Sequence, residues 1–207
     1  MSLGSATGSA QVRLLGPPET ERPVPVGVGF YLTDIVEVDD ERKTVQFEGV
    51  LTLRWHDERQ RFDPVEEGTS EKVYQGNYQF SELATGWWPQ LVLRNESGLY
   101  ERQGVVLRIL PDGNSTYVEE FQAVAEVPMD LPLIPFDRQK FEVVFESLGF
   151  DASDVLLVAD LDETGASEGI SVTQWRLESL TAEDRIYQAK FSSGREAAVS
   201  VVAFESP

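Results

Sequence analysis

The chain has 207 residues, of which 41% are hydrophobic, and this is enough to bury one substantial core, so we expect a single domain. Its 36 acidic and 17 basic residues give a formal net charge of -19, and such a surface repels phosphate backbones, so we expect no nucleic-acid partner. The longest apolar runs, such as residues 155–160, fall well short of the ~20 residues needed to span a bilayer. There is no cysteine to form a disulfide or a thiolate metal site.

Small and polar residues fill the first ten positions, MSLGSATGSA, and indicate an expression tag or a disordered lead. We therefore place the folded domain at residues 11–207. The proline-rich segment 16–25 favours an extended lead-in, and the prediction allows a short helix before the first strand.

Alternation of apolar and polar residues predicts strands through most of the remaining chain. In the segment TVQFEGVLTLRWH the apolar face is formed by Val45, Phe47, Leu51, Leu53 and Trp55. Similar runs occur near 26–38, 99–110, 115–127, 141–147, 155–160, 170–179, 186–191 and 197–204. Turn signals such as PDGN at 111 separate these runs. The pattern predicts an all-β, ten-stranded, antiparallel, immunoglobulin-like β-sandwich.

One enzyme motif occurs, because residues 165–169, GASEG, match the G-x-S-x-G pattern of a hydrolase nucleophile elbow around Ser167. That elbow needs a following helix and a histidine base downstream. A strand pattern follows instead, and the only histidine, His56, lies far upstream. We therefore expect no catalytic activity.

Four carboxylates crowd one turn, Asp160, Asp162, Glu163 and Glu168. Calcium takes six to eight oxygen ligands from flexible loops of this kind, which makes Asp160, Asp162 and Glu163 weak metal candidates. Their spacing matches no EF-hand, and a solvated acidic turn explains them better. No metal or other cofactor is therefore expected.

The segment VPMDLPLIPFDRQKF, residues 127–141, interrupts the strand pattern with three prolines. Proline lowers the conformational freedom of a loop, so this segment should hold its apolar side chains at one end of the sandwich. Those side chains need an apolar partner, which is either a contact outside the domain or the open end of the sandwich itself.

Three motifs carry a resemblance to a known family. They are RWHD at 54–57, WWPQLVLRN at 87–95 and the Pro-Phe-Asp-x-Gln sequence at 135–139. Together they resemble the extracellular domain of pentameric ligand-gated ion channels, the Cys-loop receptor family. The two cysteines that flank the proline loop in that family correspond to Val127 and Phe141 here, as in bacterial members without them. The resemblance covers residues from about 23 to 207.

The resemblance implies a homopentamer with a ligand pocket at each subunit boundary. Family members continue into four membrane helices, so we expect this chain to be a truncated, soluble extracellular domain. Its partner would be the transmembrane domain of the same full-length chain, and its location the periplasmic face of a bacterial inner membrane.

The resemblance also implies a coupling role for the proline loop. Pro135, Phe136 and Asp137 would press on the membrane domain, with Phe136 as a wedge and Asp137 as a charged or bracing group. Asp39 and Asp40, in the first hairpin turn, would lie at the same end. Two alternatives explain these residues equally well. In one, Phe136 fills the open end of the sandwich, and in the other, Asp39 and Asp40 lie on a solvated hairpin tip.

The pocket implied by the resemblance departs from the family pattern. Arg94, Leu148 and Val50 stand where many members carry aromatic residues. Phe150, Tyr187 and Phe191 remain as rings that could line a small-molecule site.

Arg94 favours a carboxylate ligand, while the negative net charge favours a cation, and shared carboxylate protons would make the domain respond to pH. The sequence leaves these three alternatives open. A rival function is a free-standing β-sandwich that binds carbohydrate or protein, with calcium at 160–168.

Overall fold

The structure is a computed structural model that describes residues 16–19, 22–76, 86–127, 139–172, 175–188 and 196–206. The predicted lead at 1–10, residues 20 and 21 of the predicted lead-in, and the proline-loop residues 128–138 lie outside the described residues.

Thirteen strands make up most of the described chain. They are β1 Val24–Asp39, β2 Thr44–His56, β3 Lys72–Gln75, β4 Leu91–Leu93, β5 Glu96–Ile109, β6 Asn114–Glu126, β7 Gln139–Ser147, β8 Val155–Ala159, β9 Gly165–Ala166, β10 Ser171–Val172, β11 Trp175–Arg176, β12 Ser179–Gln188 and β13 Glu196–Ser206. One helical turn, α1 Pro64–Glu67, follows the Asp63 N-cap, and 3-10 turns lie at Glu58–Gln60 and Leu161–Glu163.

The strands form two main sheets, which confirms the predicted all-β sandwich. The larger sheet has the order β3-β5-β6-β2-β1-β8, with β9 beside β1, and the second has the order β12-β13-β7-β4. The strands β10 and β11 pair separately. Two pairings of β1, with β8 and with β9, are parallel, which the sequence did not predict. Side-chain alternation is the same in both directions, so it does not encode strand direction.

The face of β2 predicted to be apolar is buried, and this confirms the alternation. Its core residues pack into an aromatic cluster between the sheets, in which Phe47 meets Phe30 at a ring-centroid distance of 5.9 Å. Phe30 of the larger sheet in turn lies 5.7 Å from Phe145 of the second sheet. Aromatic contacts of this kind add to the free energy gained by burial alone, so they help to hold the two sheets together.

The chain crosses from one sheet to the other between β4 and β5. Strand β4 pairs with β7 in the second sheet, whereas β5 pairs with β6 in the larger sheet. Arg94 and Asn95 occupy this crossover. A predicted ligand-site residue therefore lies where the two sheets are connected.

Candidate functional site

Arg94 and Leu148 lie along the same edge of the second sheet. The Arg94 N–H donates to the Val144 carbonyl at 2.7 Å, and the Leu148 N–H donates to the Gln90 carbonyl at 2.8 Å. The Arg94 guanidinium Nε is 3.8 Å from a carboxylate oxygen of Glu146, and the two side chains are 45% and 27% exposed. The positive charge of Arg94 is therefore accompanied by a carboxylate, and the sequence patterns did not indicate this partner.

Phe150, one of the rings predicted to line the ligand site, packs against the core. It meets Trp87 edge-on at 6.3 Å, and Trp87 meets Trp55 in the same manner at 6.2 Å. Trp87 is buried, whereas Leu148 is 52% exposed. Leu148 thus presents apolar surface to the outside, while Phe150 mainly extends the core.

Tyr187 belongs to the β12–β13 hairpin, which lies on the other side of β7 from β4. Its backbone pairs with Ala197 of β13, and Val199 of β13 pairs with Glu146 of β7. This register places the end of the β12–β13 hairpin level with the end of β7, the strand that Leu148 follows. Phe191 and the side chain of Tyr187 lie outside the described residues.

Val50 is not part of this edge. It belongs to the larger sheet, where its strand neighbours are Tyr31 and Glu120. The adjacent Leu51 is buried in the core, so Val50 points to the opposite, outer face of the sheet. A single chain therefore does not bring Val50 together with Arg94 and Leu148.

A cavity of about 340 Å³ lies between the sheets beside Leu148. It is lined by Leu51, Leu53, Trp88, Pro89, Gln90, Leu91, Val92, Arg102, Tyr117, Glu119 and Leu148. Among the predicted site residues whose side chains the structure describes, Leu148 alone lines it. The cavity combines an apolar wall with one carboxylate and one guanidinium.

The carboxylate in this cavity, Glu119, is 3% exposed on the inner face of β6. It accepts hydrogen bonds from the Tyr100 hydroxyl at 2.8 Å and from the Tyr117 hydroxyl. The Arg102 Nε lies 2.9 Å from the same carboxylate. Burial, reinforced by the charge of Glu119, raises the pKa of both tyrosines.

This network was missed in the sequence, although one signal was available. Glu119 occupies the same alternating register as Tyr117 and Phe121, which face the core. A glutamate in an apolar register is informative because buried carboxylates are rare unless they are paired.

Two of the three weak metal candidates, Asp160 and Glu163, contact Arg54. Arg54 Nη1 lies 3.3 Å from an oxygen of Asp160, and its Nη2 contacts Glu163. Asp162 is exposed. Among the residues that the structure describes, no group of three or more histidine, aspartate or glutamate side chains could hold a metal ion.

The hydrolase motif has no elbow geometry. Ser167 follows the short strand β9, and its N–H donates to the Leu32 carbonyl at 2.9 Å. The next element is strand β10, where a nucleophile elbow needs a helix. His56 lies instead beside Glu58, with 3.4 Å between its Nε2 and the carboxylate.

The first hairpin turn and the start of the proline loop lie at one end of the domain, because the Val127 N–H donates to the Lys43 carbonyl at 2.9 Å. The Asp39 carboxylate accepts a hydrogen bond from the Arg42 N–H at 2.8 Å within the turn. The Oδ1 atom of Asp40 is buried without a hydrogen-bond partner in the described part of the chain. Pro135, Phe136 and Asp137 fall outside that part.

The described residues include no helix that is long and apolar enough to cross a bilayer.

Residues 12–204 match the family described as neurotransmitter-gated ion-channel ligand binding domain. The chain is 31% identical over 166 residues to a proton-gated ion channel of Gloeobacter violaceus, covering 80% of this chain and 44% of that protein. It is 25% identical over 189 residues to a glutamate-gated chloride channel of Drosophila melanogaster, covering 87% of this chain and 40% of that protein.

A third relative is the acetylcholine receptor subunit beta of Xenopus laevis, which is 26% identical over 147 residues, or 70% of this chain and 29% of that subunit. The chain thus spans less than half the length of each of these relatives. The resemblance predicted from the motifs is confirmed, and proteins of this family are ion channels, not enzymes. The chain belongs to the ligand-binding domain family of pentameric ligand-gated ion channels.

Proposed function

We propose that this domain forms a homopentamer and binds its agonist at the boundary between neighbouring subunits. The observation that carries this proposal is the separation of the predicted site residues. Arg94 and Leu148 lie on one edge of the second sheet, while Val50 points outward from the larger sheet. A site built from both faces requires a head-to-tail contact between neighbouring chains, and a contact of this kind forms a ring when its rotation closes.

Two observations bear on the agonist. Arg94 is about half exposed, and its planar guanidinium suits a ligand carboxylate even though Glu146 lies beside it. The relative from Gloeobacter violaceus is described as proton-gated, and this favours protons. A carboxylate agonist should lose affinity when Arg94 is replaced by Gln, whereas a pH response should survive that replacement.

Binding is coupled to a transmembrane domain of the same full-length chain at the end marked by Lys43 and Val127. The hydrogen bond between these two residues supports a shared end for the first hairpin turn and the proline loop. On this basis Asp39 and Asp40, together with the loop residues 135–137, contact the membrane domain on the periplasmic side.

The head-to-tail contact can be tested with single cysteines, because the chain has none of its own. One preparation carries Val50→Cys and a second carries Leu148→Cys. A short bismaleimide should crosslink the mixture into dimers that contain one chain of each kind, and should crosslink neither preparation alone. Leu110→Cys, on an exposed turn between β5 and β6, serves as the matched control for random collision.

Crosslinking of Val50→Cys chains to one another, without mixed dimers, would contradict the proposal. That result would indicate a two-fold contact, which pairs the same surface on both partners.

A further inference from the structure

Asn95 sits at the crossover between the two sheets, and its side chain bonds to both. The amide nitrogen Nδ2 donates to the Glu126 carbonyl of β6 at 2.9 Å and to the Glu142 carbonyl of β7 at 2.6 Å. The amide oxygen Oδ1 accepts from the Val144 N–H of β7 at 3.1 Å. One side chain therefore ties the end of β6 to the start of β7.

The chemistry of this contact requires an amide. Asparagine offers two N–H donors and an acceptor oxygen in one plane, and Asn95 uses both donors and the oxygen. An aspartate of the same shape has no donor when ionised and would face two carbonyl oxygens. The two carbonyls also fix the orientation of the amide, because only its nitrogen can donate to them.

The two carbonyl groups that Asn95 joins flank the proline loop. Glu126 precedes Val127, and Glu142 follows Phe141, and both of those apolar residues are buried in the core. We call residues 126–127 and 141–142 the neck of the loop. The Asn95 backbone is bonded to the neck as well, since its carbonyl accepts from the Glu126 N–H at 2.7 Å.

Asn95 also follows Arg94 directly in the chain. The Arg94 N–H donates to the carbonyl of Val144, and the N–H of the same Val144 donates to the Asn95 side chain. The edge that carries Arg94 and the neck therefore share one short hydrogen-bonded unit.

We propose that Asn95 is a positioning residue, whose side-chain hydrogen bonds set the distance between the two sides of the neck and couple that distance to the position of Arg94. We call these three hydrogen bonds the clasp. In the full-length channel this unit passes a displacement at the pocket to both ends of the proline loop. That last step rests on the proposed function, whereas the clasp itself is a property of the single chain.

Hydrogen exchange read residue by residue by NMR tests the clasp. In Asn95→Ala, exchange of the Val144 and Val127 amides should accelerate about tenfold or more, and the Arg94 amide should follow. In Asn95→Asp the acceptor for Val144 remains but both donors are lost. Val144 should then keep its protection while Val127 and Arg94 lose theirs.

The matched control is Asn114→Ala, because the Asn114 amide bonds only the exposed Asp112 side chain of its own turn among the contacts described. Amides in the β1–β2 pairing supply an internal reference and should keep wild-type exchange in every variant. The neck amides should be unchanged in Asn114→Ala.

Four results would overturn the proposal. Faster exchange at Val144 alone would mean that Asn95 stabilises only its own hydrogen bond to β7. Unchanged exchange would mean that the Asn95 hydrogen bonds do not stabilise the neck. Equal acceleration in β1–β2, or failure of both variants to fold, would mean a general structural role. The experiment does not depend on assembly, so the hydrogen-exchange test of Asn95 can succeed while the crosslinking test of the pentamer fails, or the reverse.

Discussion

Replacement of the buried carboxylate at position 119 is the sharpest stability test of the site. In Glu119→Gln the shape is kept, but the negative charge that faces Arg102 and two tyrosine hydroxyls is removed. The glutamine side chain also brings an amide NH₂ to a position where the surrounding groups supply donors. We expect this variant to fold with a clear loss of stability.

The size of that loss follows from the three contacts. A hydrogen bond to a charged group contributes about 1.5 to 3 kcal/mol, and a neutral one about 1 kcal/mol. The Arg102 side chain is 47% exposed, so water replaces most of what its contact contributes. The two tyrosine contacts then dominate, and each loses about 0.5 to 2 kcal/mol when its acceptor changes from charged to neutral, so the pair gives a loss of about 1 to 4 kcal/mol.

Urea unfolding followed by tryptophan fluorescence measures this loss as a lower midpoint at unchanged slope. Glu120→Gln is the control, because Glu120 is the next residue on β6 and lies on the exposed outer face. It should stay within about 0.5 kcal/mol of the wild type. Equal free energies of unfolding for Glu119→Gln and Glu120→Gln would refute the inference that the Glu119 network stabilises the fold.

Three further predictions concern stability. Because the pKa values of Tyr100 and Tyr117 are raised in the folded state, their contribution is complete below the unfolded value near pH 10. Above that pH, the free energy of unfolding should fall by about 1.4 kcal/mol per pH unit for each tyrosine. Urea unfolding measured between pH 9 and 11 should therefore show, in Tyr100→Phe, about half of the pH dependence that the two tyrosines contribute together in the wild type. Arg54→Ala breaks two contacts of a half-exposed arginine, so thermal unfolding should show a cost below about 1 kcal/mol that shrinks with salt. Asp57→Ala removes a fully buried carboxylate that binds Arg59 at 2.7 Å, and its cost, about 3 kcal/mol by urea unfolding, should exceed that of Arg54→Ala.

The strands could be predicted because alternation is a local property of the chain. Phe47 and Leu51 fall on the buried face of β2 as their spacing indicates, and the bounds of β6 differ from the predicted run by one residue at each end. The parallel pairing of β1 with β8 could not be predicted in this way, because it depends on which distant strand reaches the edge of the sheet.

The site was predictable in part for a related reason. The motif that contains Arg94 lies on β4 and its turn, and the pairing of β4 with β7 brings it to Leu148. The partner Glu146 was not predicted, because it lies on β7, which is remote in sequence from Arg94. Glu119 was missed although its partner Arg102 lies on the neighbouring strand β5, because alternation assigns a residue to a face of the strand and does not name its partner. The role of Asn95 was hidden as well, because its three bonds reach residues 31 to 49 positions away.

The central claim, a ring of five chains joined head to tail, is tested most directly by a double variant. A chain that carries both Val50→Cys and Leu148→Cys presents one reactive group on each side of the proposed contact. Treated with the same bismaleimide at high protein concentration and separated under denaturing conditions, it should give a ladder of two, three, four and five chains with nothing larger. A ladder that stops at two chains, or one that continues beyond five, would contradict the pentamer.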